Sequence, residues 1–226
     1  MSAVAGGGRE LIRLTGVEKR YSGQLVLRID ELVVYEGDRI ALVGPNGSGK
    51  STLLRILGGI APLQTGEIWW AADLMEEPLG FVPQGGGLYG ELSVKDNLDL
   101  RRRLYGLPSA NPEDSPLPEG LGLGPFLEKP FSKLSGGFQR LATVASALGV
   151  NPTWLFLDEP FAGVDESKAE AITYAVRRLG DRLRVLVTTG QTTDSVRDKN
   201  RVIEVRDGQL IEIRNGRDPK GRGGGA

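Results

Sequence analysis

The chain contains no cysteine, no histidine and no long apolar run. The lack of cysteine excludes disulfides and thiolate metal sites, and it fits a cytosolic location. Because no stretch reaches the roughly 18 uninterrupted apolar residues of a membrane-spanning helix, we expect no transmembrane segment. The first residues, 1–8, have neither a charged start nor an apolar core, so we expect no signal peptide.

An excess of charge of one sign is also missing. The chain has 28 basic and 29 acidic residues, which gives a net charge of −1. No overall positive field is available to hold nucleic acid, so we expect none as a partner. With 226 residues, 39% of them hydrophobic and 25% charged, the chain has the composition of a globular protein of one domain, or of one domain with an inserted lobe.

A glycine-rich segment directly follows the apolar run 39–43 and opens a helical pattern at 50–57. Glycines allow positive φ and close backbone approach, so successive N–H groups can point at phosphate oxygens beside the positive end of a helix. Lys50 can reach the β- and γ-phosphates, and the Ser51 hydroxyl can ligate Mg²⁺. The segment therefore predicts a nucleoside triphosphate site made of Gly44, Pro45, Asn46, Gly47, Ser48, Gly49, Lys50, Ser51 and Thr52.

Two further segments carry candidate site residues. An apolar strand that begins at Trp154 ends in two carboxylates, those of Asp158 and Glu159, and in parallel sheets the ligand crevice lies at such carboxyl ends. We expect Asp158 to hold Mg²⁺ through water, and Glu159 to orient and deprotonate an attacking water. Between the two motifs, a predicted helix start at Ser135, Gly136 and Gly137 offers a hydroxyl and backbone donors to an anion.

In this order and spacing, the three segments resemble those of the ATP-binding subunits of ABC (ATP-binding cassette) transporters, over residues 11–213. A phosphate loop alone occurs in many NTPases, whereas Leu-Ser-Gly-Gly ahead of Leu-Asp-Glu-Pro is far more specific. The resemblance implies an α/β fold with a P-loop NTPase (RecA-like) core sheet, an antiparallel β edge and an inserted helical lobe. It also implies ATP and Mg²⁺ as cofactors and ATP hydrolysis as the activity.

The resemblance implies partners as well. The signature residues Ser135, Gly136 and Gly137 would complete the site of a second cassette, so that ATP lies between Lys50 of one subunit and Ser135 of the other. A homodimer is favoured, and a heterodimer stays open. Separate integral membrane permease subunits would hold the chain peripherally at the cytoplasmic face of the membrane.

Further roles are carried over by position. Tyr21 matches an aromatic that stacks on adenine, although such a tyrosine can simply pack. Gln84 matches a residue that senses Mg²⁺ and the γ-phosphate and couples the helical lobe to the membrane partner. Asp165 matches a contact to the partner cassette, and it can equally be a helix N-cap. The catalytic candidates are thus Glu159, Gln84 and Lys50, and the metal candidates are Ser51, Gln84 and Asp158.

Hydrophobic periodicity and turn residues predict the element order. We expect strands at 11–14, 25–34, 66–70, 79–83, 154–158 and 184–188, helices at 93–105, 137–148 and 166–179, and a hairpin of 202–205 with 209–213 around Asp207 and Gly208. Ser93 and Asp96 resemble a capping box at the first of these helices. One domain over 1–213 would then have a core lobe at about 9–84 and 150–213, a helical lobe at about 85–149 with an exposed connection at 107–120, and a disordered tail at 214–226.

The missing histidine is a departure from the family, which carries one after the strand that follows the Asp-Glu motif. The best alignment places Thr189 there, and the amide of Gln191 could replace the histidine instead. Slow hydrolysis in a homodimer is one explanation, and it is favoured because Lys50, Asp158 and Glu159 are present. A partly degenerate subunit paired with another cassette is the second. Phe138, Leu141 and Ser146 also depart from the family, and we expect them to alter the dimer surface.

The segments 87–98 and 103–106 resemble the helical-lobe entry of exporter ATPases for drugs, lipids and polysaccharides. Amino-acid importers share part of this pattern, so an importer ATPase is the alternative. A soluble ABC ATPase of DNA repair or translation is a further one, although such proteins commonly carry two cassettes or a coiled-coil insertion. A purely regulatory nucleotide binder is opposed by Glu159.

Overall fold

The computed structural model describes residues 8–109, 120–190 and 200–215, which fall into two compact units. The first unit comprises residues 8–74, 185–190 and 200–215, and the second comprises residues 75–109 and 120–184. In chain order the elements are β1 (Glu10–Tyr21), β2 (Gln24–Tyr35), β3 (Asp38–Val43), α1 (Lys50–Leu57), β4 (Thr65–Trp70), α2 (Ala72–Met75), β5 (Leu79–Val82), α3 (Val94–Leu104), α4 (Gly136–Leu148), β6 (Trp154–Leu157), α5 (Glu166–Arg177), β7 (Val185–Gly190), β8 (Arg201–Arg206) and β9 (Gln209–Asn215). None of the helices in these described stretches is long and apolar enough to cross a membrane.

The first unit contains an antiparallel three-stranded sheet in the order β2-β1-β4. Strands β1 and β2 are longer than predicted, because ion pairs stabilise polar positions on the exposed face that interrupt the alternating pattern. Glu18 lies directly opposite Arg28 across the two strands, and their side chains pair at 2.6 Å. The turn between the two strands has φ of 48° at Ser22 and 81° at Gly23.

The first unit also contains β7, β3 and β8 as parallel neighbours, with β9 antiparallel to β8. Helix α1 packs against β7 and β2 through its buried leucines and Ile56. The β8–β9 hairpin turns where predicted, with positive φ at Asp207 and Gly208. β9 continues to Asn215, two residues into the segment predicted as a tail, and residues 216–226 lie outside the described residues.

In the second unit, β5 and β6 form a parallel pair, and α4 packs against β5, α3 and α5. The residues of α4 from Leu141 to Leu148 are all buried. The predicted cap of α3 is confirmed, because Ser93 Oγ accepts a hydrogen bond of 3.0 Å from the Asp96 N–H. Most of the predicted connection, residues 110–119, lies outside the described residues, and the division into core and helical lobes stays a prediction.

Candidate functional site

The phosphate loop joins the end of β3 at Val43 to the start of α1 at Lys50. Gly44 has φ of 141°, and a Cβ there would lie 2.3 Å from the Val205 carbonyl oxygen. Gly49 precedes the helix with φ of 105°, and a Cβ there would lie 2.7 Å from Leu27 Cδ2. No side chain fits at either position without movement of its neighbours, so the loop requires glycine at both ends. This geometry suits close backbone approach to an anion.

Lys50 is only 5% exposed, and its ammonium lies over the loop. Its Nζ donates hydrogen bonds of 2.8 Å to both the Gly44 and the Pro45 carbonyl oxygens. Ser51 and Thr52 follow in the first turn of α1, which contains no acidic residue. The first turn of α1 therefore places no carboxylate beside the positive end of the helix dipole, and this end can attract an anion.

Thr189 lies within β7 rather than in a loop after the strand, because β7 extends to Gly190 instead of ending at 188. It is fully buried and pairs in parallel register with Leu42 of β3, one position before the pair of Val43 with Gly190. The end of β7 is thus level with the start of the phosphate loop. Gln191 lies outside the described residues.

The two carboxylates of the Asp-Glu motif occupy different environments at the end of β6. Asp158 is fully buried, and its N–H donates to the Val82 carbonyl oxygen of β5 at 2.8 Å. Glu159 is half-buried and has φ of 48°, in the left-handed region that costs a residue other than glycine roughly 1–3 kcal/mol. Such strain is found where the surroundings fix a functional side chain.

Gln84, which directly follows Pro83 at the end of β5, reaches Glu159. Its exposed side-chain amide donates a hydrogen bond of 3.1 Å to Glu159 Oε2. The structure therefore brings together two of the three catalytic candidates, both within the second unit. The third, Lys50, belongs to the first unit, together with Tyr21 and Thr189.

Arg140 is a residue of this site that the sequence motifs did not single out. Its Nη1 donates to the Pro83 carbonyl oxygen at 2.7 Å, and its Nη2 donates to the Gln84 carbonyl oxygen at 2.5 Å. Burial lowers the pKa of the guanidinium, and the Asp158 and Glu159 carboxylates oppose that change. The signal in the sequence was a cation at the start of an otherwise apolar helix.

The signature segment begins helix α4. Ser135 and Gly136 are exposed, and Ser135 has the extended backbone of an N-cap without a capping bond from its hydroxyl. A Cβ on Gly137 would lie 3.1 Å from Lys168 Cδ, and Lys168 Nζ lies 5.1 Å from the Phe138 ring centroid. A side chain at Gly137 would therefore require the Lys168 side chain to move.

The expectation that Leu141 and Ser146 alter a dimer surface is wrong. They are 2% and 4% exposed, because this part of α4 is covered by other elements of its own unit. Phe138 is half-buried, and its ring centroid lies 4.3 Å from that of Phe126.

The structure is compatible with both interpretations of Tyr21, stacking on adenine or packing, and with both interpretations of Asp165, a partner contact or a helix N-cap. Tyr21 ends β1 with 46% of its surface exposed, and Lys19 Nζ lies 5.3 Å from its ring centroid. An exposed ring face is available for stacking. Asp165 is the N-cap of α5, since its side chain accepts a hydrogen bond of 3.0 Å from the Lys168 N–H. Its exposed position leaves a partner contact compatible with this cap.

The residues present fit ATP with Mg²⁺. The two tightly enclosed glycines and the buried ammonium of Lys50 suit a polyphosphate. The predicted metal ligands Ser51, Gln84 and Asp158 offer a hydroxyl, an amide and a carboxylate oxygen, and hard cations such as Mg²⁺ prefer oxygen ligands.

Comparisons with known proteins agree with this geometry. The family model described as "ABC transporter" matches residues 27–162. The chain is 29% identical over 234 residues to the macrolide export ATP-binding/permease protein MacB of Azoarcus sp., covering 96% of this chain and 36% of MacB. It is 33% identical over 200 residues to the lipoprotein-releasing system ATP-binding protein LolD of Pseudomonas fluorescens, covering 81% of this chain and 87% of LolD.

The similar proteins also include an import protein and solved structures of cassettes. The sulfate/thiosulfate import ATP-binding protein CysA of Photorhabdus laumondii is 30% identical over 217 residues, covering 89% of this chain and 60% of CysA. The chain thus spans little more than a third of MacB and less than two thirds of CysA. Among solved structures, a dimeric bacterial ABC transporter cassette matches with a TM-score of 0.78 and 26% identity, covering 91% of this chain and 100% of that one. The chain therefore belongs to the ABC transporter family as an ATPase cassette, and the cofactors of that family are ATP and Mg²⁺.

Proposed function

We propose that this chain hydrolyses ATP within a dimer of cassettes and thereby powers export of a substrate through separate membrane permease subunits. The observation that carries the proposal is the hydrogen bond between Gln84 and Glu159 at the end of β5 and β6. This hydrogen bond orients the Glu159 carboxylate at the end of β6, as the general base that deprotonates an attacking water requires. Family membership supports a transport role.

In this mechanism the first unit binds the nucleotide. The backbone N–H groups of residues 46–52 and the Lys50 ammonium hold the phosphates, and the exposed ring of Tyr21 stacks on the base. Mg²⁺, when bound, neutralises charge on the phosphates during transfer. The Ser51 hydroxyl and the Asp158 carboxylate are the protein groups that would hold it, and Gln84 would add an amide oxygen.

The partner that this chain requires is a second cassette, with a second copy of this chain favoured. Ser135 and Gly136 are exposed at the start of α4, so their hydroxyl and N–H groups are available to a nucleotide held by another subunit. The match to a dimeric cassette over 91% of the chain supports this arrangement. Attachment to the cytoplasmic face of a membrane would then come through the permease.

Export is favoured by the segments 87–98 and 103–106, which resemble those of exporter ATPases. The named relatives include both a macrolide export protein and a sulfate/thiosulfate import protein. Import is therefore the alternative direction of transport.

The test is purification of the chain from its native membranes under mild detergent, followed by identification of the co-purifying polypeptides. We expect an integral membrane permease, and ATP hydrolysis that increases when the complex is placed in lipid vesicles. The Lys50→Ala chain serves as control, since it should retain the permease and lose the hydrolysis. A chain that purifies free of any membrane protein and hydrolyses ATP at its full rate alone would contradict the transport role. Substrate leaving the ATP-exposed side of such vesicles indicates export, and substrate arriving there indicates import.

A further inference from the structure

The carbonyl oxygens of three successive residues at the end of β5 are all hydrogen-bonded. The Val82 oxygen accepts from the Asp158 N–H at 2.8 Å, as the last step of the β5–β6 pairing. The next two oxygens, of Pro83 and Gln84, accept from Nη1 and Nη2 of Arg140. The guanidinium of α4 thus bonds the backbone directly beyond the point where strand pairing stops.

The two residues directly after Gln84 provide no side-chain packing. A Cβ on Gly85 or Gly86 would meet nothing within 4 Å, whereas a Cβ on the third glycine, Gly87, would lie 2.9 Å from Pro83 Cγ. Gly86 and Gly87 have φ of 70° and 103°, which other residues rarely adopt. Gln84 itself is exposed, yet its amide bonds Glu159. The position of Gln84 therefore depends on the backbone contacts immediately before the glycines.

We propose that Arg140 is a positioning residue, whose guanidinium fixes the Pro83–Gln84 backbone and thereby holds the Gln84 amide against Glu159. This inference deepens the proposed ATPase mechanism and rests on it for its catalytic consequence. A planar guanidinium can donate to two neighbouring carbonyls at once, whereas a lysine ammonium is a point charge on a flexible stem. Lysine at position 140 would keep the charge and lose the paired geometry.

The same residue connects two parts of the site. Arg140 lies on α4, whose N-cap is Ser135, five positions earlier. In the proposed dimer Ser135 contacts the partner's nucleotide, so α4 connects that contact through Arg140 to the backbone of Gln84.

The experiment compares Arg140→Lys with the matched variant Arg102→Lys. Arg102 is also half-buried in the second unit and also donates to two carbonyls, from Nε to Pro108 at 2.8 Å and from Nη1 to Gly149 at 2.6 Å. Hydrogen exchange is measured by mass spectrometry on the nucleotide-free chains. Arg140→Lys should increase exchange in peptides covering residues 83–88 by about tenfold, because the local opening that exchange reports loses a paired contact. Arg102→Lys should leave those peptides unchanged.

The kinetic readout separates positioning from general stability. Arg140→Lys should lower kcat about tenfold with KM for ATP within about twofold, and it should lower kcat little further in a Gln84→Ala background. Unchanged hydrogen exchange at residues 83–88 would overturn the proposal. The same roughly tenfold decrease in kcat from Arg140→Lys in the Gln84→Ala background would also overturn it. If the wild-type chain hydrolyses no ATP, the proposed function fails, and the exchange result still decides the role of Arg140. Arg140→Gln is the second variant, so that a folding defect of one substitution does not decide the outcome.

Discussion

Glu159 accepts a hydrogen bond of 3.1 Å from Gln84, a residue 75 positions earlier in the chain. The two side chains meet because β5 and β6 are parallel neighbours, and each residue follows the carboxyl end of its strand. Glu159 is further fixed by its left-handed backbone conformation, with φ of 48°. A carboxylate restrained at both backbone and side chain is preorganised for one task, which we infer to be activation of water.

Replacement of Glu159 by Gln should therefore retain nucleotide binding and lower turnover by ~10²–10⁴-fold, the usual contribution of a general base. The variant should also favour an ATP-locked dimer, because the amide is isosteric but cannot accept the proton. Glu166→Gln is the control, since Glu166 is an exposed residue in the first turn of α5. Phosphate release and size-exclusion chromatography in ATP measure both effects. Unchanged turnover would mean that another group activates the water.

Replacement of Lys50 by Ala should weaken binding of a fluorescent ATP analogue by about 10–10²-fold. The reason is the loss of a charge-assisted hydrogen bond to phosphate, which contributes roughly 1.5–3 kcal/mol. Lys95→Ala is the control, because Lys95 is a half-buried lysine that pairs with Glu128. Wild-type affinity in Lys50→Ala would contradict the assignment of the phosphate loop.

The parts of the site that the sequence predicted are local in the chain. The phosphate loop follows from glycines between a strand and a helix pattern, and the cap at Ser93 follows from a spacing of three residues. The contacts of Arg140 could not be predicted in this way, because they join residues 56 and 57 positions apart. The strand predicted at 184–188 ends before Thr189 because the glycine that follows is typical of a turn, whereas pairing with β3 extends β7 through Gly190.

A buried ion pair near the start of β3 and β8 offers a test of stability. Arg201 Nη1 donates to Asp38 Oδ2 at 2.6 Å and to the Val33 carbonyl oxygen at 2.7 Å, and Asp38 is fully buried. Burial acts to lower the pKa of Arg201, and the Asp38 and Glu212 carboxylates more than offset this, so the pKa lies above its ordinary value.

Arg201→Met should destabilise the fold by about 3–5 kcal/mol, because it leaves the Asp38 carboxylate buried without its cation. Arg206→Met should change stability by less than about 1 kcal/mol, since Arg206 pairs with Glu204 at the exposed surface. Urea unfolding measures both values. Equal midpoints for the two variants would show that the buried pair contributes no more than the exposed one.

The cap of α5 predicts a dependence on pH. Hydrogen bonds from the Lys168 side chain and N–H lower the pKa of Asp165 below its ordinary value of 3.8. A depressed pKa contributes stability that is present above the unfolded-state pKa and is lost as the pH falls through the folded-state pKa. Asp165→Asn should therefore lower Tm at pH 7, and the difference from wild type should decrease as the pH falls below 3.8 and through the lower folded-state pKa. A difference in Tm that stays constant from pH 7 down to about pH 2 would contradict an electrostatic contribution.

The last prediction concerns the missing histidine. Thr189 is buried and pairs with Leu42 near the end of β3, the strand that precedes the phosphate loop. Its neutral hydroxyl is on a shorter side chain than an imidazole and is a weaker donor. We therefore expect slow hydrolysis in the isolated chain and faster hydrolysis when a membrane partner aligns two cassettes. Thr189→His should raise kcat with little change in nucleotide affinity, since the added contact matters most in the transition state.

Gln191→Ala separates the two explanations for how the chain manages without histidine. A large loss of turnover would show that Gln191 has taken over the role, whereas no loss together with a gain from Thr189→His would assign the position to Thr189. Thr188→His is the matched control, because Thr188 is the preceding buried threonine of β7 and a strand places successive side chains on opposite faces. If neither Thr189→His nor Gln191→Ala changes the rate, the alignment of this segment is wrong. Isolation of the chain with a second cassette that contains the histidine would support the degenerate-partner explanation.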